Sequence, residues 1–368
     1  MREHASLVSP KRPNHNPETI FTPIVYNRTM KRFGLLVPFV FALLGIIALF
    51  FSDSFSPRAF GLFRWVDVTY AYLTIVLPVL FALSFLVFVW KHKLTAWICV
   101  ILGILLGLLR VYATHIEPFA LDVRFETIKS PKVQQPIRLL HVSDIQSEKV
   151  GGYERRVFDV AADLNPDVVI YTGDYLQVPG GGDLKQEIDR LHSLMMGLSP
   201  PFGQYGTDGN VDLPPVLPGL FGGRSLMSLE DEVVEIERGD VRFRLLGVSF
   251  RHCLKDWPRE MHEAVKGDRD VFTIVAAHAP ECIFRIEHGD GVDLCLAGHT
   301  HGGQVVLPFL GPLVTLSGVP KKYAQGLHPY ADFFLNVSAG VGVEHALGLP
   351  PIRLFCPPEL VLITIEPA

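Results

Sequence analysis

Cysteine is scarce in this chain and never paired. Cys99, Cys253, Cys282, Cys295 and Cys356 form no C-x-x-C motif and no zinc-finger spacing. That argues against a disulfide scaffold or a zinc finger, and five buried thiols are expected. Basic clusters are missing after the first third of the sequence, and the formal net charge of -5 at pH 7 would repel a phosphate backbone. Both argue against nucleic-acid binding. The pair Lys321-Lys322 suits a solvated turn, or an anionic headgroup at a membrane. Internal repeats and low-complexity segments are absent as well.

Charge is also missing from three long apolar runs, Phe33–Phe51, Val68–Trp90 and Leu94–Leu109. The first two are long enough to cross a hydrocarbon core of about 30 Å. The third is extended by Val111–Ala113 with Arg110 able to snorkel, and for this run alone a buried core helix is the alternative. Ionisable groups inside a membrane are the usual mark of a transport pathway, so three uncharged spans read as an anchor. No small-residue cleavage site follows the first run, which argues against a removed signal peptide.

Arg2, Lys11, Arg12, Arg28, Lys31 and Arg32 precede the first run, and Lys91-His92-Lys93 joins the second to the third. Only Arg58 and Arg64, beside Asp53 and Asp67, lie between the first and second. The positive-inside rule then keeps the N-terminus in the cytoplasm and sends everything after the third span outward. The expected organisation is a basic N-terminus (1–32), a three-helix anchor (33–113), a polar linker (114–135) and one large domain (136–368).

In that domain short apolar strands alternate with amphipathic helices, the pattern of an α/β fold. "IRLLHVSD" (137–144) and "DVVIYTGD" (167–174) are strands running into an aspartate, and "VFTIVAAH" (271–278) and "GVDLCLAGH" (291–299) are strands running into a histidine. Val157, Val160, Ala161 and Leu164 mark one helix, and Leu184, Ile188, Leu191 and Met195 another. Residues 232–250 read as a hairpin turning at Gly239-Asp240, and "FFLNVS" and "ELVLITIE" as further strands. "PGGGD" (179–183) and "DLPPVLPGLFGGR" (212–224) read as surface loops.

Potential metal ligands thus stand at several strand ends, where the loops of an α/β sheet converge on one rim. Singly, each aspartate could be a helix cap and each histidine a hydrogen-bonded core residue. The joint pattern, with glycines beside Asp174, Asn210, His299 and His301, favours a site, because glycine lets backbone approach an ion or oxyanion closely.

In order, "VSDIQ", "YTGDYL", "GNVD", "VAAHAPE" and "LAGHTHGGQ" resemble the sequence blocks of the calcineurin-like metallophosphoesterases. The C-terminal "VSAGVG" and "PPIRLFCPPELVLITI" look most like the membrane-associated YkuE/YaeI-type branch of bacteria. The resemblance covers about residues 120–368. It implies a four-layer α/β/β/α sandwich with two divalent ions, Mn, Fe or Zn. Asp144, Gln146, Asp174 and His301 would hold one ion, and Asp174, Asn210, His278 and His299 the other. Asp174, Asn210 and His278 would carry the catalytic work. The activity implied is hydrolysis of a phosphodiester, pyrophosphate or phosphomonoester by metal-activated hydroxide. A lipid or cell-envelope substrate at the bacterial inner membrane is expected, with the catalytic domain outside the cytoplasm.

Two residues depart from the family pattern. Gln146 stands where a histidine is usual, and Val211 where a histidine would assist the leaving group. An amide oxygen is a weaker donor than imidazole. Losing a general acid forfeits about 10²- to 10⁴-fold in rate, so a good leaving group would suffer least. His192, His262 and His345 are candidate substitutes. The departures together motivate the competing reading, a catalytically weak metal-binding sensor or interaction module.

Overall fold

A computed structural model describes residues 75–90, 92–223, 225–315, 317–344 and 350–368. The basic N-terminus, the first expected span and the first residues of the second lie outside the described residues. Helix α1, Leu77–Phe88, packs on helix α2, Lys93–Val111, through Leu77, Phe81 and Cys99, as a helical hairpin. Helical structure continues past α2 as a π turn and a 3-10 turn to Phe119, giving a helix of 27 residues that contains an 18-residue stretch with a mean hydropathy of 2.3. This helix is long and apolar enough to cross a membrane. Ile101, Ile104, Leu105 and Leu108 point outward, each more than half exposed, which excludes a buried core helix.

The rest of the chain builds two six-stranded sheets. The first sheet contains β1 (Asp122–Ser130), β2 (Ile137–Val142), β3 (Val168–Thr172), β4 (Gln204–Thr207), β5 (Leu226–Ser228) and β14 (Glu359–Pro367), in the order β1-β14-β2-β3-β4-β5. The second contains β6 (Glu232–Arg238), β7 (Val241–Val248), β8 (Phe272–Ala277), β9 (Leu294–Ala297), β12 (Gly326–Tyr330) and β13 (Phe333–Val337), in the order β12-β13-β9-β8-β7-β6. A ribbon of β10 (Val306–Leu307) and β11 (Gly311–Pro312) stands apart. The expected hairpin is β6–β7, with Arg238 paired to Val241.

Three apolar cores separate four layers. Between the sheets, Leu139, Ile170 and Ile363 meet Phe243, Ile274 and Leu296. On the outer face of the first sheet, Leu140, Val169 and Tyr171 pack under α3 (Gly152–Asp163) and α4 (Leu184–Met195) through Val157, Ala161, Ile188 and Leu191. Helix α4 starts where the sequence signals it, with the Asp183 carboxylate accepting the Gln186 N–H at 3.1 Å. On the outer face of the second sheet, Val275, Cys295 and Val337 pack against Met261 and Val265. All five cysteines are buried free thiols.

Two segments differ from expectation. Residues 122–130, placed in the linker by sequence, form β1 and pair in parallel with β14 over Asp122–Ser130. Their alternation is weak because this edge strand buries only Ile128 and Ser130. The segment 212–224, read as a surface loop, carries a short helix whose Val216, Leu217, Leu220 and neighbouring Phe221 are buried. Phe221 packs edge-on against Tyr171 and Tyr175, at 6.1 and 5.4 Å between centroids, so apolar side chains outweigh the loop signature of Pro and Gly.

Candidate metal centre

Asp144 follows β2, Asp174 follows β3, Asn210 follows β4, His278 follows β8, and His299 and His301 follow β9. The two sheets therefore deliver these residues from the carboxyl ends of their parallel strands. Asp144, Gln146, Asp174, His299 and His301 all hold left-handed backbone, with φ of 48, 42, 55, 67 and 47°. Such conformations cost of order 1–3 kcal/mol each and gather at functional sites. The loops are tied together by the Asp144 N–H donating to the Gly173 carbonyl at 3.1 Å and the Gln146 N–H to the Asp174 carbonyl at 2.8 Å. Two glycines are required by close approach. A Cβ on Gly298 would lie 2.2 Å from Asp144 Oδ2, and one on Gly209 would lie 2.1 Å from Asp174 Oδ1.

One half of the site is compact. His278 Nδ1 donates to the Thr172 carbonyl at 2.8 Å, which turns Nε2 toward Asn210 Oδ1 (2.9 Å), His299 Nδ1 (3.1 Å) and Asp174 Oδ2 (3.3 Å). Phe250 packs against both imidazoles, with centroids 5.7 Å from His278 and 5.9 Å from His299. The other half is looser. His301 Nε2 lies 3.5 Å from Asp144 Oδ1, while the Gln146 amide donates to the Glu344 carboxylate. Gln146 Oε1 and His301 Nδ1 are buried with no hydrogen-bond partner. Buried polar atoms are nearly always paired. The unpaired Gln146 Oε1, with His301 Nε2 near the buried Asp144 carboxylate, offers oxygen and nitrogen donors that fit a divalent cation.

Several supporting residues were not identified from sequence. Asp212, the last residue of the "GNVD" block, accepts the N–H groups of Asp174 (2.9 Å), Tyr175 (2.9 Å) and Gly209 (2.7 Å), gathering two ligand loops on one carboxylate. A buried chain of hydrogen bonds runs to Asp144 from the second sheet. Asn336 donates to His141 Nδ1 at 2.8 Å, His141 Nε2 to Thr172 Oγ1 at 2.9 Å, Thr172 to Ser143 at 2.7 Å, and Ser143 to Asp144 Oδ2. Burial and the nearby Arg124 push His141 down to about 3, so it stays neutral and serves this chain as both donor and acceptor. Ser143, Thr172 and His141 carried no signal in the sequence beyond strand position.

Val211 donates its N–H to Asp174 Oδ1 at 3.0 Å and offers no titratable group. Two of the candidate substitutes are engaged elsewhere. His192 bonds the Leu220 carbonyl at 2.7 Å, His262 faces Asp290 at 3.2 Å, and His345 lies outside the described residues.

The electrostatics are those of a crowded, dry site. Burial raises Asp144 to about 7, with Asp174 repelling it further against the opposing charge of His278. Burial alone would depress His278, but Asp174, as charge and hydrogen-bond acceptor, outweighs it and lifts His278 to about 10. His299 falls to about 4 through burial and the charge of His278. Without metal, His278 thus keeps its second proton at neutral pH, and a cation must expel it. A raised pKa means the proton competes on the acid side, so metal affinity should rise with pH up to about 10. Calorimetry at pH 7 in buffers of differing ionisation enthalpy should report release of about one proton or more per chain on metal loading. Loading without proton release would contradict this geometry.

No family model matches the chain. Individual relatives do. A metallophosphoesterase of Aquifex aeolicus is 30% identical over 266 residues, spanning 69% of this chain and 95% of its own length. Metallophosphoesterase YkuE of Bacillus subtilis is 26% identical over 271 residues, spanning 69% of this chain and 89% of the relative. Phosphodiesterase YaeI of Escherichia coli is 23% identical over 207 residues, spanning 54% and 70%. With this match along nearly the whole of the Aquifex protein, and the family's blocks gathered at one rim of two stacked sheets, the chain belongs to the calcineurin-like metallophosphoesterases, metal-dependent hydrolases of phosphoric esters.

Proposed function

We propose that the protein is a membrane-anchored phosphoesterase that binds two divalent cations and cleaves a phosphodiester or pyrophosphate linkage of a lipid or cell-envelope substrate. The observation that carries the reading is the convergence of Asp174, His278 and His299, whose ligand atoms all lie within 4.8 Å of one another. Asp174, Asn210, His278 and His299 would hold one cation, and Asp144, Gln146, Asp174 and His301 the other, with Asp174 shared. The mixed nitrogen and oxygen donors suit Mn, Fe or Zn. When bound, such a pair polarises a phosphoryl group and lowers the pKa of coordinated water toward neutrality.

The chain's own residues supply the rest. Thr172 fixes the His278 tautomer, and Asp212 holds the Asp174 and Gly209 backbones in register. Asn210 turns Oδ1 to His278, which leaves its amide hydrogens to donate to a phosphoryl oxygen. Phe250 screens the two imidazoles from water on one side. Val211 cannot protonate a departing oxygen, which favours substrates with a good leaving group. Family membership favours this hydrolase over a sensor or interaction module of the same fold.

The anchor is α2 with its continuation to Phe119, and α1 beside it. Together with the basic residues before Phe33 and at Lys91 and Lys93, they would hold the protein in a bacterial inner membrane with the catalytic domain outside the cytoplasm. The test is hydrolysis of an aryl phosphodiester by the full-length protein after removal of metal and reloading with Mn, Fe or Zn. Metal-dependent turnover is expected, and a domain that binds no metal would overturn the reading. Val211→His should raise turnover by about tenfold or more on an alkyl diester, and far less on a nitrophenyl diester, as expected of a restored proton donor. Equal effects on both would contradict the assignment.

A further inference from the structure

The structure assigns a second membrane contact: the tip of the β10–β11 ribbon, with Phe355 beside it, dips into the bilayer interface next to the end of the α2 helix. This rests on the reading of Lys93–Phe119 as a membrane span. Phe309 and Leu310 at the ribbon tip are 108% and 74% exposed, and Leu313 and Phe355 are about half exposed. Isolated surface apolar residues are ordinary, but two adjoining ones this fully exposed at a ribbon tip are not. Phe309 and Phe355 also hold left-handed backbone, φ 67 and 56°, an uncommon conformation for a bulky residue.

Continuity with the helix identifies the occupant. The Arg353 N–H donates to the Ala113 carbonyl at 2.9 Å, and the Cys356 N–H to Glu117 Oε1 at 2.6 Å, so the segment around Phe355 is bonded directly to the helix end. The same segment is bonded to the ribbon, Val306 N–H to the Leu354 carbonyl at 2.9 Å. Ile116 and Phe119, at the helix end, are 52% and 44% exposed. A helix leaving a bilayer here brings Phe355 and the ribbon to the same interface, where aromatic and aliphatic tips are stabilised. Lys321 donates to the Pro312 and Leu313 carbonyls, each at 3.0 Å, which sets a positive charge beside the apolar tip, and Lys322 follows it. That pairing of apolar tip and cations fits a bilayer bearing anionic headgroups.

The consequence is orientation. The ribbon continues directly from the His299–Gln304 loop, and Cys356 Sγ lies 3.5 Å from the His301 carbonyl. Seating the tip in the interface therefore brings the loop that carries His299 and His301 close to the membrane surface, where a lipid-linked phosphate would be presented.

The test is nitroxide labelling of the full-length protein in vesicles of phosphatidylethanolamine and phosphatidylglycerol. The five native cysteines are buried, so an introduced cysteine labels selectively. Leu310→Cys reads the tip, Leu105→Cys on α2 is the membrane reference, and Asp240→Cys, at the opposite end of β7 from the site, is the aqueous reference. The ratio of oxygen to nickel-chelate accessibility at 310 should exceed that at 240 severalfold and approach that at 105. A ratio at 310 equal to that at 240, with 105 lipid-exposed, overturns this inference alone. Shielding of 310 from both reagents would mean a protein partner, and overturns it too. A water-exposed 105 would overturn the membrane reading itself.

Discussion

Asp174→Asn is expected to lower kcat/KM by about 10³-fold or more, about 4 kcal/mol of transition-state stabilisation, while leaving the fold intact. Asp174 is 1% exposed, is the carboxylate shared by both proposed ion sites, and faces His278 Nε2 at 3.3 Å. Asparagine tolerates the left-handed backbone that residue 174 adopts, φ 55°, and its amide oxygen can still accept the Val211 N–H. The substitution therefore removes one charge and little else. Metal content should fall from about two ions per chain to one or none, and His278, losing the partner that raises it, should titrate below about 10. Unchanged metal content and rate would contradict the shared role.

Arg353→Leu should have the largest effect on stability. Arg353 is 0% exposed and donates to the carbonyls of Ala339 (2.7 Å), Gly342 (2.5 Å) and Cys356 (3.0 Å). Leucine would leave these buried acceptors unpaired, at a cost of about 3–5 kcal/mol. The damage should reach the metal centre, because the loop that Arg353 clamps supports the β2 end. Val341 donates to the Ser143 carbonyl at 2.9 Å and Gly342 to the Asp144 carbonyl at 2.6 Å. Thermal inactivation should move down by about 10 °C or more, with weaker metal binding even below that midpoint. Arg353→Lys should recover only part, since an ammonium cannot reproduce the planar fork that reaches several carbonyls.

How far the sequence spoke depended on whether a residue's signal was local. The strand ends at Asp144, Asp174, His278 and His299 were legible because each candidate ligand closes its own apolar run, and α4 because its apolar spacing lies within one segment. Strand β1 was hidden because its partner β14 lies more than 200 residues away and its exposed edge buries too little to show a period. The role of Arg353 was equally hidden, since an arginine among prolines reads as surface until the carbonyls around it are located. The histidine pair was only half resolved by its spacing. His299 joins His278 and Asn210 in a compact group, whereas His301 stands near Asp144 with its Nδ1 unpaired. Gln146 is placed by backbone against Asp174, but its amide is engaged by Glu344, which leaves Oε1 as the atom available to a cation.

The central claim is a pair of cations sharing Asp174, and electron paramagnetic resonance of the manganese-loaded protein tests it most directly. Two Mn²⁺ ions about 3.5–4 Å apart are exchange-coupled, so the spectrum should show a coupled pair at about two ions per chain. Asp174→Asn should abolish that signal. A spectrum of isolated Mn²⁺ at a single site in the unmodified protein would contradict the account.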